Sequence, residues 1–206
     1  MKIETFQVGP IMTNCYAVSE GSEAVLIDAA DYDPRIVSYF RDNALTVSYI
    51  LLTHGHFDHT SGVKQLAEAL GAKIAIHPAD EEMLYDFRKS GALSFGVSGG
   101  ECAEADLLLK EGDEIPLGDL ALRVIETPGH TKGGVGYYTP GHLFIGDTLF
   151  EGSIGRTDLY GGSYETLLRS IAQKIYVLPE DTQVYPGHGG RTTVGYEKKN
   201  NSYVRG

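Results

Sequence analysis

The sequence predicts an α/β protein, a layered sandwich in which two β-sheets pack together and helices cover them from outside. Short apolar runs rich in branched residues recur along the 206 residues, as the buried strands of such sheets do. The early runs follow one another through short polar connections, whereas the later ones alternate with helical patterns, which is typical of a layered α/β fold. No repeat, low-complexity tract or linker divides the chain, so we expect one domain over residues 1–206.

The first half of the chain contains most of the predicted strands. They lie at residues 6–8, 15–18, 24–27, 49–52 and 74–76. Between the last two, apolar residues recur at spacings of three and four and form one face of a predicted helix, which consists of Val63, Leu66, Ala67 and Leu70. Gly71 follows this face and is suited to end the helix.

The second half continues with further strands and another helix. Strands are predicted at residues 122–125, 143–145 and 182–185. The second apolar helix face consists of Tyr164, Leu167, Leu168, Ile171 and Ile175. Residues 86–104 interrupt the pattern with glycines and little periodicity, and a long loop of this kind is either a lid over a site or a plain surface excursion.

The charge and cysteine content argue against several partners and compartments. The net charge is −11 and no cluster of Lys and Arg is present, so nucleic acid and anionic membrane surfaces are not expected partners. Cys15 and Cys102 form no C-x-x-C pair and indicate free thiols rather than a disulfide framework or a cysteine zinc site. The first residues lack a secretory signal and no apolar run reaches spanning length, so we expect a cytoplasmic protein.

The most informative segment runs from Thr53 to His59 and places three imidazoles and a carboxylate within six residues. With seven His and 13 Asp in the chain, the pattern His-x-His-x-Asp-His would arise by chance in about one of two thousand sequences. The segment follows a predicted strand, and the carboxyl ends of strands are where α/β sheets place their ligands. The candidate metal ligands here are His54, His56, Asp58 and His59.

The same arrangement recurs at three further strand ends, where a glycine is followed at once by a candidate ligand. These pairs are Gly129-His130, Gly146-Asp147 and Gly187-His188. Each glycine lets the backbone turn sharply. Five imidazoles and two carboxylates at four strand ends are enough for two metals that share a bridging ligand, whereas one metal would leave ligands unused.

These motifs resemble those of the metallo-β-lactamase-fold superfamily, whose signature His-x-His-x-Asp-His is matched by the segment from His54 to His59. The later motifs match its remaining ligand positions in the same order, and the resemblance covers nearly the whole chain. Residues 152–158 and the segment that begins at residue 187 are similar to those of the short bacterial glyoxalase II-like hydrolases. The resemblance implies an αββα four-layer sandwich of two mixed sheets flanked by helices.

The resemblance also implies how two metals share the ligands. Carried over position by position, the ligands are His54, His56 and His130 for the first metal, Asp58, His59 and His188 for the second, and Asp147 as the bridge. Zinc is the metal expected first, with iron or manganese open, because imidazole and carboxylate ligands accept all three. Two divalent cations lower the pKa of bound water toward about 7, so a metal-bound hydroxide is the expected nucleophile. Asp58 is the candidate catalytic residue that orients this water or moves its proton.

Several residues near these motifs have two interpretations. Asp28 either orients a ligating His by accepting its second ring N–H or is a solvated turn residue. Arg156 and Asp158 either bind substrate or hold their loop through an ion pair, and the structural role is favoured. His77 and His142 fall outside the pattern and are assigned structural roles.

The resemblance implies a binuclear hydrolase that cleaves S-acyl thiols such as S-lactoylglutathione. The larger glyoxalase II enzymes carry an extra C-terminal helical domain that supplies much of the glutathione site, so another small acyl-thiol stays open as the substrate. The alternative is a persulfide dioxygenase-like oxidoreductase with one iron, in which the matching positions are His54, His130 and Asp147. A tRNA-processing nuclease is disfavoured by the acidic balance, and a non-catalytic metal protein would saturate its metal coordination. The sequence leaves the oligomeric state open.

Overall fold

A mixed sheet forms the N-terminal part of the computed structural model, which describes residues 1–97 and 103–205. Its strands, in spatial as well as chain order, are β1 (Lys2–Val8), β2 (Thr13–Glu20), β3 (Glu23–Ile27), β4 (Thr46–Leu51), β5 (Lys73–Ile76) and β6 (Leu107–Leu108). β1 to β3 pair antiparallel, whereas β3 to β6 pair parallel. Parallel neighbours need crossover connections, which is why helices enter the chain after β3.

A second mixed sheet packs against the first. It begins with β7 (Glu114–Leu117), β8 (Leu120–Glu126), β9 (Val135–Thr139) and β10 (His142–Gly146). After a separate hairpin of β11 (Leu149–Phe150) and β12 (Ser153–Ile154), it is completed by β13 (Gln183–Pro186) and β14 (Thr192–Thr193). The spatial order is β14-β13-β10-β9-β8-β7, and β10 pairs parallel with β13 while the other neighbours pair antiparallel.

Helices connect the strands and begin and end at recognisable signals. They are α1 (Pro34–Asp42), α2 (Phe57–Thr60), α3 (Val63–Leu70), α4 (Tyr164–Ser170) and α5 (Val194–Asn200). α1 begins where Asp33 Oδ1 accepts the N–H of Arg35 at 2.8 Å, with Pro34 at the first helical position. α3 ends at Gly71, whose φ of +65° is the left-handed conformation that glycine adopts without strain.

Three clusters of buried apolar side chains fill the space between adjacent layers. Side chains of α1 and α3, such as Phe40 and Leu66, pack on the outer face of the first sheet. Residues of both sheets, such as Leu51 and Tyr137, pack between them. Side chains of α4 and α5, such as Leu167, pack on the outer face of the second sheet. The predicted αββα four-layer sandwich is therefore confirmed.

The predicted elements are present, and the structure adds the unpredicted helix α1 and the strands β6, β7, β9, β11, β12 and β14. The predicted strands fall in β1 to β5, β8, β10 and β13, but the predicted second helix ends at Ser170 and continues over Ile171–Ile175 as a wider π-helix. The described part of segment 86–104 contains a short 3-10 helix at Ala92–Phe95, and residues 98–102 lie outside the described residues. Among the described residues, no helix is long and apolar enough to cross a membrane.

Candidate metal centre

The ends of four strands, β4, β8, β10 and β13, lead into the segments that carry the predicted ligands, of which Asp58 and His59 lie in the short helix α2. β10 and β13 run parallel, so the residues that follow them emerge at the same end, where the N–H of Gly187 donates to the carbonyl of Gly146 at 2.8 Å. The N–H of Val135 donates to the carbonyl of Thr53 at 2.8 Å, which joins the start of β9 to the end of β4 across the two sheets. These backbone hydrogen bonds bring together loops that are far apart in sequence.

One group of candidate ligands consists of His54, His56 and His130. All three are buried, and their ligand nitrogens lie within 4.8 Å of one another. His56 Nδ1 and His130 Nε2 are 2.9 Å apart. Three imidazoles that converge in this way form the donor set of a zinc or iron site.

A second group consists of Asp58, His59 and His188, whose ligand atoms also lie within 4.8 Å of one another. His188 Nε2 is 3.1 Å from Asp58 Oδ2. Asp147 lies between the two groups, because its Oδ1 is 3.3 Å from His59 Nε2 and its Oδ2 is 3.7 Å from His130 Nε2. The structure thus brings all seven predicted ligands together.

The buried polar atoms of this cluster fit a bound cation. Among the described residues, the buried atoms without a hydrogen-bond partner include His54 Nε2, His56 Nε2, His59 Nε2 and Asp147 Oδ1. Buried polar atoms are nearly always paired, because an unpaired one loses its hydration without compensation. Imidazole nitrogens and a carboxylate oxygen that converge without donors are suited to a divalent metal ion such as zinc, iron or manganese.

Asp28 and Thr53 contact the imidazole rings of two candidate ligands, His59 and His54. Asp28 is buried, and its Oδ2 lies 2.8 Å from His59 Nδ1. Thr53 Oγ1 donates to the same carboxylate at 2.8 Å and lies 3.0 Å from His54 Nδ1. Asp28 is therefore the buried partner of a candidate ligand rather than a solvated turn residue, and it determines which nitrogen of His59 faces the cluster.

The loop after β12 orients His130 and lies close against Asp147. His130 Nδ1 donates to the carbonyl of Arg156 at 2.7 Å. The Arg156 side chain donates two hydrogen bonds to Asp158, at 2.7 and 2.8 Å, and Arg156 also lines the cavity that adjoins the candidate ligands, so its structural role stays a prediction. A Cβ at Gly155 would lie 1.8 Å from the carbonyl oxygen of Asp147, which explains the glycine at this position.

Burial and charge set the protonation of the candidate ligands. Burial lowers the pKa of His54 and brings the pKa of His56 to about 3, so both rings are neutral, the form that binds a metal. Burial also opposes charge on His59, but the surrounding carboxylates, Asp28 foremost, outweigh it and raise the pKa of His59 well above its usual value. Burial alone would raise the pKa of Asp147, and the adjacent His59 reverses this effect and lowers it. The negative charge of Asp58 and Asp147 favours a bound cation.

Sequence analysis missed Asn14 and Thr13 at the start of β2. Asn14 Nδ2 donates to the carbonyls of Pro186 and Gly189 at 3.0 and 3.1 Å, so it holds the turn that carries the last candidate ligand. Thr13 Oγ1 donates to Asp58 Oδ2 at 3.5 Å. Their signal in the sequence is weak, because it consists of one Thr-Asn pair at the start of an apolar run.

His77 and His142 lie outside the cluster, as expected from the sequence. His77 Nε2 is 3.2 Å from Glu126 Oε1, and His142 Nδ1 is 3.1 Å from the hydroxyl of Tyr185. Both rings therefore have partners that are not candidate ligands.

A cavity of about 280 Å³ adjoins the candidate ligands. The ligands that line it are His56, Asp58, His130, Asp147 and His188, and its apolar side chains are Ile11, Phe57, Phe95 and Leu159. Phe95 packs on Phe57 with ring centroids 5.3 Å apart. Ser90 and Gly91 also line the cavity, so part of segment 86–104 contributes to its wall.

Comparison with protein families and with known proteins identifies relatives among metal-dependent hydrolases. The family model described as the metallo-β-lactamase superfamily matches residues 8–188. A probable metallo-hydrolase of Bacillus subtilis is 36% identical over 208 residues, which cover 100% of this chain and 99% of that protein. A hydroxyacylglutathione hydrolase of Haemophilus influenzae is 32% identical over 208 residues, which cover 99% of this chain and 98% of that protein.

Solved structures with the same fold include proteins that are described in different ways. The B3 metallo-β-lactamase BLEG-1 is 36% identical with a TM-score of 0.94, and the match covers 100% of both chains. A protein crystallised in a di-iron-bound form is 36% identical with a TM-score of 0.86, over 98% of this chain and 100% of that one. ETHE1 from Myxococcus xanthus is 28% identical with a TM-score of 0.81, over 98% of this chain and 84% of that one.

Proposed function

Given that the chain belongs to the metallo-β-lactamase superfamily, we propose that it is a binuclear metallohydrolase that cleaves small S-acyl thiols such as S-lactoylglutathione. The observation that carries the proposal is the position of Asp147, whose oxygens lie 3.3 Å from His59 Nε2 and 3.7 Å from His130 Nε2 and so join the two ligand groups. Similarity to the hydroxyacylglutathione hydrolase over 99% of the chain supports the substrate class.

The two ligand groups would hold two divalent cations. Bound there, the cations would lower the pKa of a water from about 15.7 toward about 7 and stabilise negative charge on a carbonyl oxygen. Zinc is the proposed metal because imidazoles outnumber carboxylates in the donor set. Iron is the second candidate, supported by the di-iron form of a protein that is 36% identical.

Asp58 is the proposed catalytic residue, because its carboxylate lines the cavity and is ionised at neutral pH. Burial would raise its pKa, but His59 and His188 outweigh burial and lower it. An ionised carboxylate at the cavity wall orients a water molecule and accepts its proton. The hydroxyl of Thr13, 3.5 Å from Asp58 Oδ2, restricts the orientation of this carboxylate.

The remaining cavity wall suits a thioester. The apolar side chains of Ile11, Phe57 and Leu159 exclude water from the hydrocarbon parts of a small substrate. A thiol has a pKa of about 8.5, so a thiolate leaves without a proton from a general acid. The described side chains of the cavity therefore provide the groups that thioester hydrolysis needs beyond the metals.

Two other activities are the alternatives. A persulfide dioxygenase-like oxidoreductase with one iron is supported by the likeness to ETHE1, at 28% identity. Hydrolysis of a β-lactam is supported by the likeness to BLEG-1, at 36% identity. The joined ligand groups favour two metals over one, and the similarity to hydroxyacylglutathione hydrolase favours a thioester over a lactam.

Metal analysis and activity measured on one sample test the proposal. We expect about two divalent metal ions per purified chain, turnover of S-lactoylglutathione, and loss of at least about 100-fold in kcat for Asp58→Asn. His142→Ala is the matched control, because its imidazole lies outside the cluster and contacts the hydroxyl of Tyr185. A single iron with oxygen uptake on glutathione persulfide, or faster turnover of a β-lactam than of any thioester, would overturn the proposal.

A further inference from the structure

A buried aspartate outside the ligand set joins the two loops that carry the imidazoles of the first metal position. Asp80 Oδ2 accepts the N–H of Gly55 at 3.0 Å, and Asp80 Oδ1 accepts the N–H of Gly133 at 2.7 Å. Gly55 is the residue between His54 and His56, and Gly133 lies three residues after His130. One carboxylate thus bonds to the backbone beside all three imidazoles.

Asp80 is held rigidly in its own turn. Its side chain is fully buried, its N–H donates to the carbonyl of His77 at 3.0 Å, and its carbonyl accepts the N–H of Met83 at 2.9 Å. A carboxylate bonded by two backbone N–H groups has the short, charge-assisted hydrogen bonds that define geometry well. The distance between its two oxygens is covalently fixed, so the two loops are fixed relative to each other.

The two glycines show how closely this turn approaches the ligand loops. A Cβ at Gly133 would lie 2.8 Å from the backbone nitrogen of Asp80 and 2.9 Å from its Oδ1. A Cβ at Gly55 would lie 2.9 Å from the carbonyl oxygen of Asp80 and 2.6 Å from Met83 Cβ. Both positions therefore require glycine for the contact with Asp80 to form.

The second metal position does not use this connection. The loop that carries His188 is held by Asn14, which donates to the carbonyls of Pro186 and Gly189. Asp80 supports the loops of the first ligand group and Asn14 supports the turn of the second. A substitution of Asp80 should therefore affect mainly the first ligand group.

We propose that Asp80 is a positioning residue that sets the spacing between the His54–His56 pair and His130 and thereby the affinity of the first metal position. This inference rests on the two-metal centre of the proposed function. Residues that orient metal ligands without touching the metal commonly change affinity by about 10- to 100-fold when removed. Asp80 differs from such residues in acting through backbone N–H groups beside the ligands rather than through the imidazole rings.

Metal titration of the metal-free protein tests this role without depending on activity. Wild type, Asp80→Ala and Asp80→Asn are stripped with a chelator and titrated with Zn²⁺ and with Co²⁺, whose absorption spectrum reports on its ligands. We expect Asp80→Ala to bind metal at the first position about 10- to 100-fold more weakly and at the second position with nearly unchanged affinity. Asp80→Asn keeps the shape and one acceptor oxygen, so a smaller loss is expected.

Two reference variants identify which position is affected. The Co²⁺ spectrum of Asp80→Ala should match that of His56→Ala, which lacks a ligand of the first position, and should differ from that of His188→Ala. Asp106→Asn is the matched control, because Asp106 Oδ2 also accepts a backbone N–H, that of Ile74 at 2.8 Å, but its partner lies in β5. Thermal unfolding of each metal-free variant shows whether the fold persists.

The possible results separate this inference from the proposed function. Wild-type affinity at both positions in Asp80→Ala and Asp80→Asn, or equal weakening of both positions, would overturn the positioning role. If Asp80→Ala does not fold, the affinities of Asp80→Asn at the two positions decide: wild-type affinity at both, or equal weakening of both, would overturn the positioning role. A wild type that binds two metals but turns over no thioester would contradict the proposed function alone, and a wild type that binds no metal would contradict both.

Discussion

Asp28 Oδ2 lies 2.8 Å from His59 Nδ1, and both side chains are buried beneath the candidate metal ligands. The same carboxylate accepts the backbone N–H of Thr53 at 2.8 Å, and the Thr53 hydroxyl contacts His54 Nδ1 at 3.0 Å. Asp28 adopts a φ of +60°, a conformation that residues with a side chain rarely adopt. A strained residue whose carboxylate contacts one candidate ligand directly and a second through the Thr53 hydroxyl is consistent with a functional constraint on its position.

Asp28→Asn should weaken metal binding without removing any ligand. The amide keeps the shape of the carboxylate but loses its charge, so His59 is a poorer donor to the metal, and we expect about 10- to 100-fold lower affinity. Calorimetric titration of the metal-free protein measures it. Asp31→Asn is the control, because Asp31 is exposed three residues away. Equal affinities in the two variants would contradict the role of Asp28.

Asp147→Ala and His188→Ala should differ in how many metal ions they lose. Asp147 lies near both ligand groups, at 3.3 Å from His59 Nε2 and 3.7 Å from His130 Nε2, so its removal should weaken both positions by at least about 10-fold. His188 belongs to the second group, so its removal should deplete mainly that position. Metal content after dialysis distinguishes them, and equal content in wild type and Asp147→Ala would rule out a bridging carboxylate.

Local sequence patterns predicted the strands and the candidate ligands for physical reasons. Buried strands need continuous apolar runs, and each run ends at a sharp turn, so glycines such as Gly146 mark where the next side chain faces the sheet edge. The helix α1 was missed, although Ile36, Val37, Tyr39 and Phe40 pack in the apolar cluster on the first sheet. Its N-terminal signal, Asp33 followed by Pro34, was present in the sequence.

The residues that hold the ligands in place were largely beyond sequence reasoning. Asn14 is bonded to Pro186, 172 residues away, and Asp80 to Gly133, 53 residues away. Such pairs are created by packing between sheets and leave no local periodicity. Asp28 was identifiable as a candidate because it ends a predicted strand at the same edge as the metal motif.

Asn14→Ala should loosen the turn that carries His188. The amide donates to two backbone carbonyls, of which Pro186 keeps the hydrogen bond from the Tyr16 hydroxyl and Gly189 is exposed, so each lost bond costs about 0.5–1.5 kcal/mol. We therefore expect a lower free energy of unfolding in urea and weaker binding at the second metal position. Asn200→Ala is the control, because its amide also donates to a carbonyl, that of Tyr196 at 2.9 Å, but is exposed. Similar losses in both variants would argue against a role for Asn14 in the site.

The metal-free protein should be most stable at about pH 6.5. The lowered pKa values of His54 and His56 give a contribution that is present above the unfolded pKa of about 6.5 and lost as pH falls. The raised pKa of His59 means that its protonation stabilises the fold fully below the unfolded pKa of about 6.5, and this contribution is lost as pH rises through the folded pKa. The lowered pKa of Asp147 gives a contribution present above about 3.9 that is lost as pH falls. The free energy of unfolding in urea, measured from about pH 3 to about pH 9, should fall toward both ends of this range. In Asp28→Asn the free energy of unfolding should fall less steeply as pH rises above about 6.5. An unchanged pH dependence would contradict the role of Asp28 in raising the pKa of His59.

Cys15 should be unreactive in the native protein. Burial raises the pKa of its thiol, its side chain is fully buried, and its Sγ accepts the N–H of Ala30 at 3.3 Å. Because the thiolate is the reactive form, a disulfide reagent at about pH 8 should modify Cys15 only when the protein unfolds. In a Cys102→Ser variant Cys15 is the remaining thiol, so its reaction in native buffer and in denaturant can be compared directly. Rapid stoichiometric reaction in native buffer would mean that the strands around Cys15 open readily, which the packing of β2 against β3 and α1 argues against.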